Sequence, residues 1–489
     1  MKKFIEIFFL AITIAIAGGC GGGGRGGGGG GGIGPLPGID RLGVKSGTVT
    51  GFGSIIVNGV EFEVSGSAFD IDDNSSSSGQ SDLSIGDVVV VTFDPAAPTV
   101  ATTVFSDDAV EGPIDSIDLA TSTMVVAGQT VAVDPDTSFD DSLGVTGLDG
   151  LTPDTVVEVT GLFEASGNIR ATRVEPSTAP GVGEFEVHGF VTGLTATTFM
   201  INALTVDFSS ATIDNSFPGG MISENDFVEA KGTALAGGVL TATKVEPDAV
   251  NGIDTSTFSN FDEIQIEIEG FITRFGSSGD FDVSGFPVDA SGATFTGGVA
   301  TDLALNVKVE VEGDRNASGK LVARKVDIRR SNNLRVVGQV DSKDDAAGTL
   351  TVLGITATVD GSTRREDKSS ARLEPFNLSD VMVDDYVEVR GGADPASAGD
   401  ILASLLERDD LPGLPGEGAE LRGFIDSITL PNNFTIAGVD IDASNPSSFL
   451  NLAGNTITVN DLQVGDLVDV KGTETGMTML AADEIQLEN

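Results

Sequence analysis

This sequence of 489 residues contains few side chains that could carry out chemistry. It has one His, one Cys, one Tyr and no Trp, so most of the usual general acids, bases and nucleophiles are missing. The cysteine, Cys20, has no second cysteine in the chain with which to form a disulfide. It follows the small residues Ala17-Gly18-Gly19 and precedes a glycine tract, which offers no apolar core. These surroundings argue against a buried structural thiol.

The single histidine, His188, stands directly before a glycine that recurs in similar surroundings along the chain. The corresponding places hold residues of unrelated types, namely Glu111, Glu269, Val337 and Arg422. A position that accepts such different side chains is typical of a strand edge at the surface. His188 is therefore expected to be exposed rather than to act as a ligand or a catalytic base.

Carboxylates supply the other candidate sites. Asp70, Asp72 and Asn74 have the spacing of a calcium loop, but Ser75 replaces its glycine and Ser81 replaces its final glutamate. We therefore expect a solvated loop. Carboxylate pairs at a fixed separation can hydrolyse glycosides, yet strands rich in Asp and Glu supply many pairs by chance. The sequence thus predicts no catalytic residue, no metal ligand and no cofactor, and the protein is not expected to be an enzyme.

The charge balance excludes one class of partner. There are 74 acidic and 27 basic residues, giving a formal charge of −47. Nucleic-acid binding depends on Lys and Arg that neutralise phosphates, so nucleic acid is not expected as a partner, whereas diffuse binding of divalent cations is. The hydrophobic fraction is 40% and the mean hydropathy is +0.13. Acidic disordered chains have low hydrophobicity, so this chain is expected to fold.

The N-terminal segment resembles a bacterial lipoprotein signal. Met1-Lys2-Lys3 is positively charged, Phe4 to Ala17 is largely apolar but too short to span a bilayer, and small residues precede Cys20. The resemblance implies cleavage before Cys20, a diacylglyceryl thioether on its sulfur and a membrane as partner. The lack of Asp after Cys20 matches the proteobacterial rule for sorting to the outer membrane. The predicted regions are a signal peptide at 1–19 and a Gly-rich tether at 20–43.

The remainder of the chain repeats itself six times, which has to be recognised before a fold is named. A glycine opens each unit, and a later strand usually closes on a second glycine, as in Asp154 to Gly161 and Gly465 to Gly472. Lys231 and Arg390 recur near that second glycine and are expected to form charge pairs with a neighbouring Glu. The predicted β repeats, numbered 1 to 6, are 44–110, 111–183, 184–262, 263–331, 332–417 and 418–489.

Each unit alternates apolar and polar residues with a period of two, which predicts half-buried strands. Asn58-Gly59 suits a type I′ hairpin turn, whereas Asn202-Ala203 at the corresponding place should strain that turn or change its type. Several short strands in so small a unit favour a closed sheet. The predicted fold is all-β, with six tandem small antiparallel (OB-like) β-barrels. Immunoglobulin-like sandwiches and a six-bladed propeller are the alternatives.

The strand closing on Gly472 and the ending Ala171-Thr172-Arg173-Val174-Glu175-Pro176 resemble the bacterial family called domain of unknown function 5666. The resemblance implies small β-barrels in an exported protein, often in tandem. That family has no established catalytic residues, so it implies none here.

Two functions follow as hypotheses. The first is a lipid-anchored, non-enzymatic stalk or interaction array of the cell envelope, with separately folded repeats and envelope proteins as partners. The alternative is a surface lipoprotein that binds polysaccharide or divalent cations in one barrel mouth. Repeats 1 and 5, the most divergent, are the candidates for that mouth.

Overall fold

A computed structural model describes most of the chain from residue 41 to residue 487. The predicted signal peptide, the lipid site Cys20 and the tether as far as residue 40 lie outside the described residues. Strand β1 begins at Arg41, so the folded part starts slightly before residue 44, where it was expected. The internal positions that are not described are 53, 73–77, 120, 135, 146, 178–184, 249–262, 330–333, 362, 374, 394–399, 411–417 and 452–454.

The described residues form 36 strands and no α-helix, so the predicted all-β class is confirmed. The strands follow one another in sets of six, one set for each predicted repeat. Repeat 1 contains β1 (Arg41–Phe52), β2 (Ile55–Val57), β3 (Val60–Phe62), β4 (Ala68–Ile71), β5 (Val88–Phe93) and β6 (Ala101–Ser106). Repeat 2 contains β7 (Val110–Asp118), β8 (Thr123–Val126), β9 (Gln129–Ala132), β10 (Ser138–Phe139), β11 (Val156–Phe163) and β12 (Ile169–Pro176). Repeat 3 contains β13 (Phe185–Phe190), β14 (Thr198–Ile201), β15 (Leu204–Asp207), β16 (Thr212–Ile213), β17 (Phe227–Ala236) and β18 (Val239–Pro247).

The second half of the chain has the same order of strands. Repeat 4 contains β19 (Glu263–Ser277), β20 (Asp280–Val283), β21 (Phe286–Asp289), β22 (Thr294–Thr296), β23 (Lys308–Arg315) and β24 (Leu321–Arg329). Repeat 5 contains β25 (Leu334–Asp344), β26 (Thr349–Val352), β27 (Ile355–Thr358), β28 (Arg364–Asp367), β29 (Tyr386–Ala393) and β30 (Ile401–Asp409). Repeat 6 contains β31 (Gly418–Thr429), β32 (Asn433–Ile436), β33 (Val439–Asp442), β34 (Ser448–Leu450), β35 (Leu467–Gly476) and β36 (Met479–Leu487). Among the described residues, no helix is long and apolar enough to cross a membrane.

Hydrogen bonding closes small barrels, as predicted. In repeat 4, β19 pairs with β20, β20 with β21, β21 with β24, β24 with β23, and β23 again with β19. Repeats 2, 5 and 6 contain the same ring of five strands. The second residue of the second strand is almost fully buried in repeats 2 to 6, and these residues are Met124, Phe199, Phe281, Leu350 and Phe434. Large apolar side chains therefore fill the barrels.

The two glycine signals in the sequence have structural reasons. Asn58 and Gly59 have φ values of 48° and 74°, which is the backbone that a type I′ turn requires. In repeat 3 only Asn202 of the corresponding pair has a positive φ, at 49°, so the predicted change of turn type is confirmed. The second glycine lies at a β-bulge: a Cβ on Gly472 would stand 2.1 Å from the carbonyl oxygen of Ala481.

The repeats are not separate beads, and that part of the stalk hypothesis is wrong. Their opening strands pair and produce three sheets of 12 strands each. Strand β7 of repeat 2 pairs with β13 of repeat 3, and β25 of repeat 5 pairs with β31 of repeat 6, both antiparallel. Strand β1 of repeat 1 runs parallel to β19 of repeat 4, and Arg41 to Ser46 lie opposite Glu263 to Ile268. Unpaired opening strands would expose sheet edges, and this pairing covers them.

Candidate functional site

His188 lies in the interior of a sheet, so the expectation that it is exposed is wrong. Its residue is only 3% exposed. Strand β13, which carries it, pairs with β17 on one side and with β7 of the preceding repeat on the other. An opening strand lies at the interface between two repeats, which we call a seam. The residue before the opening glycine therefore has different neighbouring residues at each seam.

Both nitrogens of the His188 ring contact carboxylates. Nδ1 lies 2.8 Å from Oδ2 of Asp248, and Nε2 lies 2.8 Å from Oε1 of Glu186. Burial by itself would lower the pKa of His188, but the hydrogen bonds with Asp248 and Glu186 outweigh burial and hold the pKa well above its usual value. The ring is therefore an imidazolium at neutral pH when only these groups surround it.

Lys231 supplies a second cation to the same place. Its Nζ lies 2.7 Å from Oε2 of Glu186 and 2.6 Å from Oε1 of Glu229, so the predicted charge pair is confirmed. Burial raises the pKa of Glu186, whereas hydrogen bonds and charges from His188 and Lys231 lower it, to a net value of about 2.

Asp107 approaches this group from the segment between repeats 1 and 2. Its Oδ1 is buried and has no hydrogen-bond partner. Burial and the negative charge of Glu186 raise the pKa of Asp107 well above its usual value. One ligand atom from each of Asp107, Glu186, His188 and Glu229 lies within 4.8 Å of the other three. We call these four residues the His188 cluster.

The His188 cluster has the donor set of a transition-metal site. One imidazole and three carboxylates suit Zn²⁺ or Mn²⁺. Asp248 on Nδ1 would fix the ring tautomer so that Nε2 faces the ion, as carboxylates do in many histidine-bound metal sites. A cavity of about 30 Å³ lined by Asp107, His188 and Asp248 adjoins the cluster, which is sufficient volume for a water molecule or an ion.

A second site lies where repeats 1, 2, 4 and 5 meet. It is a cavity of about 390 Å³, which we call the central cavity, and its polar lining includes Thr48, Thr172, Glu269, Lys325, Arg364 and Ser404. Cavities of this size are typical of small-molecule sites. It lies between barrels rather than in a barrel mouth, where the sequence placed a binding site.

Sequence reasoning missed both sites for the same reason. Members of the His188 cluster come from two strands, β13 and β17, and a connecting segment, and the central cavity is lined by four repeats, so no local spacing indicates either. The one signal in the sequence was the variety of residue types before the opening glycines, which could have indicated that this position lies at a seam between repeats. Cys20 and the centre of the calcium-like loop, Asp73 to Ser75, lie outside the described residues.

Comparison with known proteins identifies one family. The model of a family described as a domain of unknown function (DUF5666) matches residues 111–175, 188–246, 269–327, 337–407 and 422–486, together more than half of the chain. These segments lie within repeats 2 to 6, and repeat 1 has the same order of six strands. No curated protein matches the chain.

Proposed function

We propose, from the premise that the chain belongs to the family of domain of unknown function DUF5666, that it is a lipid-anchored, non-enzymatic interaction scaffold of the cell envelope. The N-terminal resemblance supports the anchor, because Cys20 follows small residues at the end of an apolar segment. Two or three acyl chains hold a protein on a membrane durably. The outer membrane is the proposed location.

The observation that carries the scaffold proposal is the pairing of opening strands between distant repeats. Strand β1 pairs with β19 across two intervening repeats, and the backbone hydrogen bonds of the opening strands also join repeat 2 to 3 and repeat 5 to 6. Such pairing fixes the two repeats of each pair relative to one another, whereas a flexible stalk would leave all of them independent. Paired repeats with filled barrels present their loops and the junctions between repeats to partners.

The anchor is tested by the mass of the mature N-terminal peptide from protein made in a bacterial host that processes lipoproteins. We expect the wild type and a Gly24→Ser control to begin at residue 20 and to carry a diacylglyceryl group. We expect Cys20→Ser to lack that mass and to remain uncleaved. An unmodified N-terminal peptide in the wild type, or membrane retention of a cleaved Cys20→Ser protein, would contradict the anchor.

Binding of a divalent cation is a second candidate function, and the His188 cluster favours it. The specific observation is that Asp107, whose buried Oδ1 has no hydrogen-bond partner, places a carboxylate oxygen within 4.8 Å of ligand atoms from three other residues. A cation bound at the His188 cluster would neutralise the negative charge of its carboxylates, which His188 and Lys231 balance when no cation is bound. Because His188 must lose a proton to bind a metal, affinity should rise with pH.

Titration calorimetry with Zn²⁺, Mn²⁺ and Ca²⁺ tests this function. We expect Zn²⁺ or Mn²⁺ to bind with about one site per chain, and Asp107→Asn to weaken binding by roughly tenfold or more. The exposed carboxylate Asp440 provides the matched control, Asp440→Asn, which should bind as the wild type does. Equal loss in both variants, or no saturable binding of either metal, would contradict a cation site at the cluster.

A further inference from the structure

The central cavity brings together parts of the chain that are far apart in sequence. Thr48 comes from β1 of repeat 1, Thr172 from β12 of repeat 2, Lys325 from β24 of repeat 4 and Arg364 from β28 of repeat 5. Because four repeats enclose it, the cavity exists only in the assembled body. Its volume of about 390 Å³ lies within the usual range for sites that hold a small molecule.

Arg364 is the most informative residue of this lining. The residue is 7% exposed, and its Nη1 donates a 2.7 Å hydrogen bond to the backbone oxygen of Asp136. Its Nε is buried without a hydrogen-bond partner, and within the described residues no carboxylate forms an ion pair with it. The side chain of Asp136 accepts a 2.7 Å hydrogen bond at Oδ1 from the hydroxyl of Ser404.

Arg173, which is also 7% exposed, is by contrast paired with Asp140 and Glu175, and the partly buried Arg335 is paired as well. Arg335 contacts Glu388 at 3.0 Å and Glu420 at 2.6 Å. A buried guanidinium without an anion costs several kcal/mol, and the chain has 74 acidic residues from which to supply one. Burial and the nearby charge of Arg390 lower the pKa of Arg364 by more than the charges of Asp136, Glu366 and Glu407 raise it. The unpaired state of Arg364 therefore indicates that an anion comes from outside the chain.

Two more groups point to the same cavity. Lys325, half-buried in the wall, forms no ion pair within the part of the chain that the structure describes. The hydroxyl oxygen of Thr48 is buried and has no hydrogen-bond partner. The wall also carries Glu269 and Asp327, which pair with other cations. These acids would repel a ligand with several negative charges but can accept hydrogen bonds from hydroxyl groups.

We propose that the central cavity binds a small sugar acid, that is, a hydroxylated molecule with a single carboxylate. The carboxylate lies against the guanidinium of Arg364 and the ammonium of Lys325, because a planar guanidinium recognises a carboxylate through two parallel hydrogen bonds. Hydroxyl groups of the ligand bond to Thr48 and to the acids of the wall. This binding goes beyond the scaffold role, which does not depend on it.

Two adjacent pairs of residues provide matched controls. Arg364 lines the central cavity, whereas Arg365 lines a separate cavity of about 280 Å³, so Arg364→Gln and Arg365→Gln remove the same charge one residue apart. Lys325 faces the cavity, whereas the exposed Arg324 contacts Glu312 at 3.0 Å, so Lys325→Gln and Arg324→Gln form the second pair.

The test is calorimetry of the purified full chain with glucuronate, with glucose as a neutral analogue and acetate as an anion without hydroxyl groups. We expect glucuronate to bind more tightly than either analogue. Loss of a hydrogen bond to a charged group should weaken its binding roughly tenfold to a hundredfold in Arg364→Gln and about tenfold in Lys325→Gln. Arg365→Gln and Arg324→Gln should keep the wild-type affinity.

The same measurement with an oligogalacturonate distinguishes the source of the ligand. Binding of the monomer alone supports a free sugar acid, and binding of the oligomer as well supports the end of an acidic polysaccharide. Absence of binding by both acids, equal binding of glucose, or equal losses in Arg364→Gln and Arg365→Gln would overturn the proposal. Circular dichroism of each variant shows whether the fold is retained, and Lys325→Gln provides an independent test if Arg364→Gln does not fold.

Discussion

The backbone N–H of Thr48 donates a 3.1 Å hydrogen bond to Oε2 of Glu269, 221 residues further along the chain. Glu269 also forms an ion pair with Lys308. Its carboxylate thus joins repeat 1 to repeat 4 at the wall of the central cavity. Burial raises the pKa of Glu269, but the charge and hydrogen bond of Lys308 outweigh burial and lower the pKa below its usual value.

Replacing Glu269 by Gln should destabilise the protein. The amide can still accept the Thr48 hydrogen bond, but Lys308 loses its counter-charge in a largely buried place. We expect the free energy of unfolding to fall by about 1 to 3 kcal/mol, measured by urea denaturation. The control Glu484→Gln, which changes an exposed carboxylate, should shift the free energy of unfolding by less than about 0.5 kcal/mol. Equal effects of the two changes would contradict a structural role for the ion pair between Glu269 and Lys308.

The pairing of β1 with β19 predicts that the two halves of the chain remain together after the chain is cut. Residues 249–262 connect repeat 3 to repeat 4, and a protease site placed there would separate repeats 1–3 from repeats 4–6. We expect both fragments to elute together in size-exclusion chromatography after cleavage, because the six paired residues of β1 hold them. Lys45 and Glu267, which lie 2.7 Å apart across this seam, strengthen the contact.

The control for this experiment is the same cleaved sample in concentrated urea, where the fragments should elute apart. Separate elution in native buffer would show that the repeats behave as independent beads, and would return the extended stalk to consideration.

The strands and barrels could be predicted from the sequence because their signals are local. Alternation of apolar and polar residues and the turn at Asn58-Gly59 depend on neighbours in the chain. The choice of partners among repeats could not be predicted, because all six opening strands have similar patterns and none indicates that repeat 1 should join repeat 4. His188 illustrates the difference. The variety of residue types at its position in the repeats predicted an exposed site, but this variety arises because the position has different neighbours at each seam.

The glycine that closes the late strand of a repeat should be intolerant of substitution. In repeat 6 a Cβ on Gly472 would lie 2.1 Å from the carbonyl oxygen of Ala481, a backbone atom that cannot move without breaking the bulge. We expect Gly472→Ala to lower the free energy of unfolding by about 2 to 4 kcal/mol. Denaturation with urea measures this loss.

Gly66→Ala is the matched change, because a Cβ on Gly66 would meet no atom within 4 Å. It should be neutral within about 0.5 kcal/mol or slightly stabilising, since Ala restricts the unfolded chain. A neutral Gly472→Ala would show that the repeated glycine has a reason other than this close approach.

Between about pH 5 and about pH 8 the stability of the protein should fall as the pH rises, and Asp87 should account for part of the loss. Burial raises the pKa of Asp87 to about 7. Two contacts oppose this rise: the backbone N–H of Ser84 donates a 2.6 Å hydrogen bond to Oδ2 of Asp87, and the charge of Arg173 lies nearby. An unfolded Asp has a pKa of about 3.9. Because the folded state holds the proton more tightly, this contribution to stability is complete below about pH 4 and is lost as the pH rises through about 7.

Asp87→Asn mimics the protonated side chain at every pH, so it should reduce the loss of stability between about pH 5 and about pH 8 by about 2 to 3 kcal/mol. Urea denaturation at several pH values measures the slope. The exposed Asp440→Asn variant should retain the wild-type slope. An unchanged slope in Asp87→Asn, or a wild type that gains stability toward pH 8, would show that Asp87 is ionised in the folded protein and that Arg173 compensates for its burial.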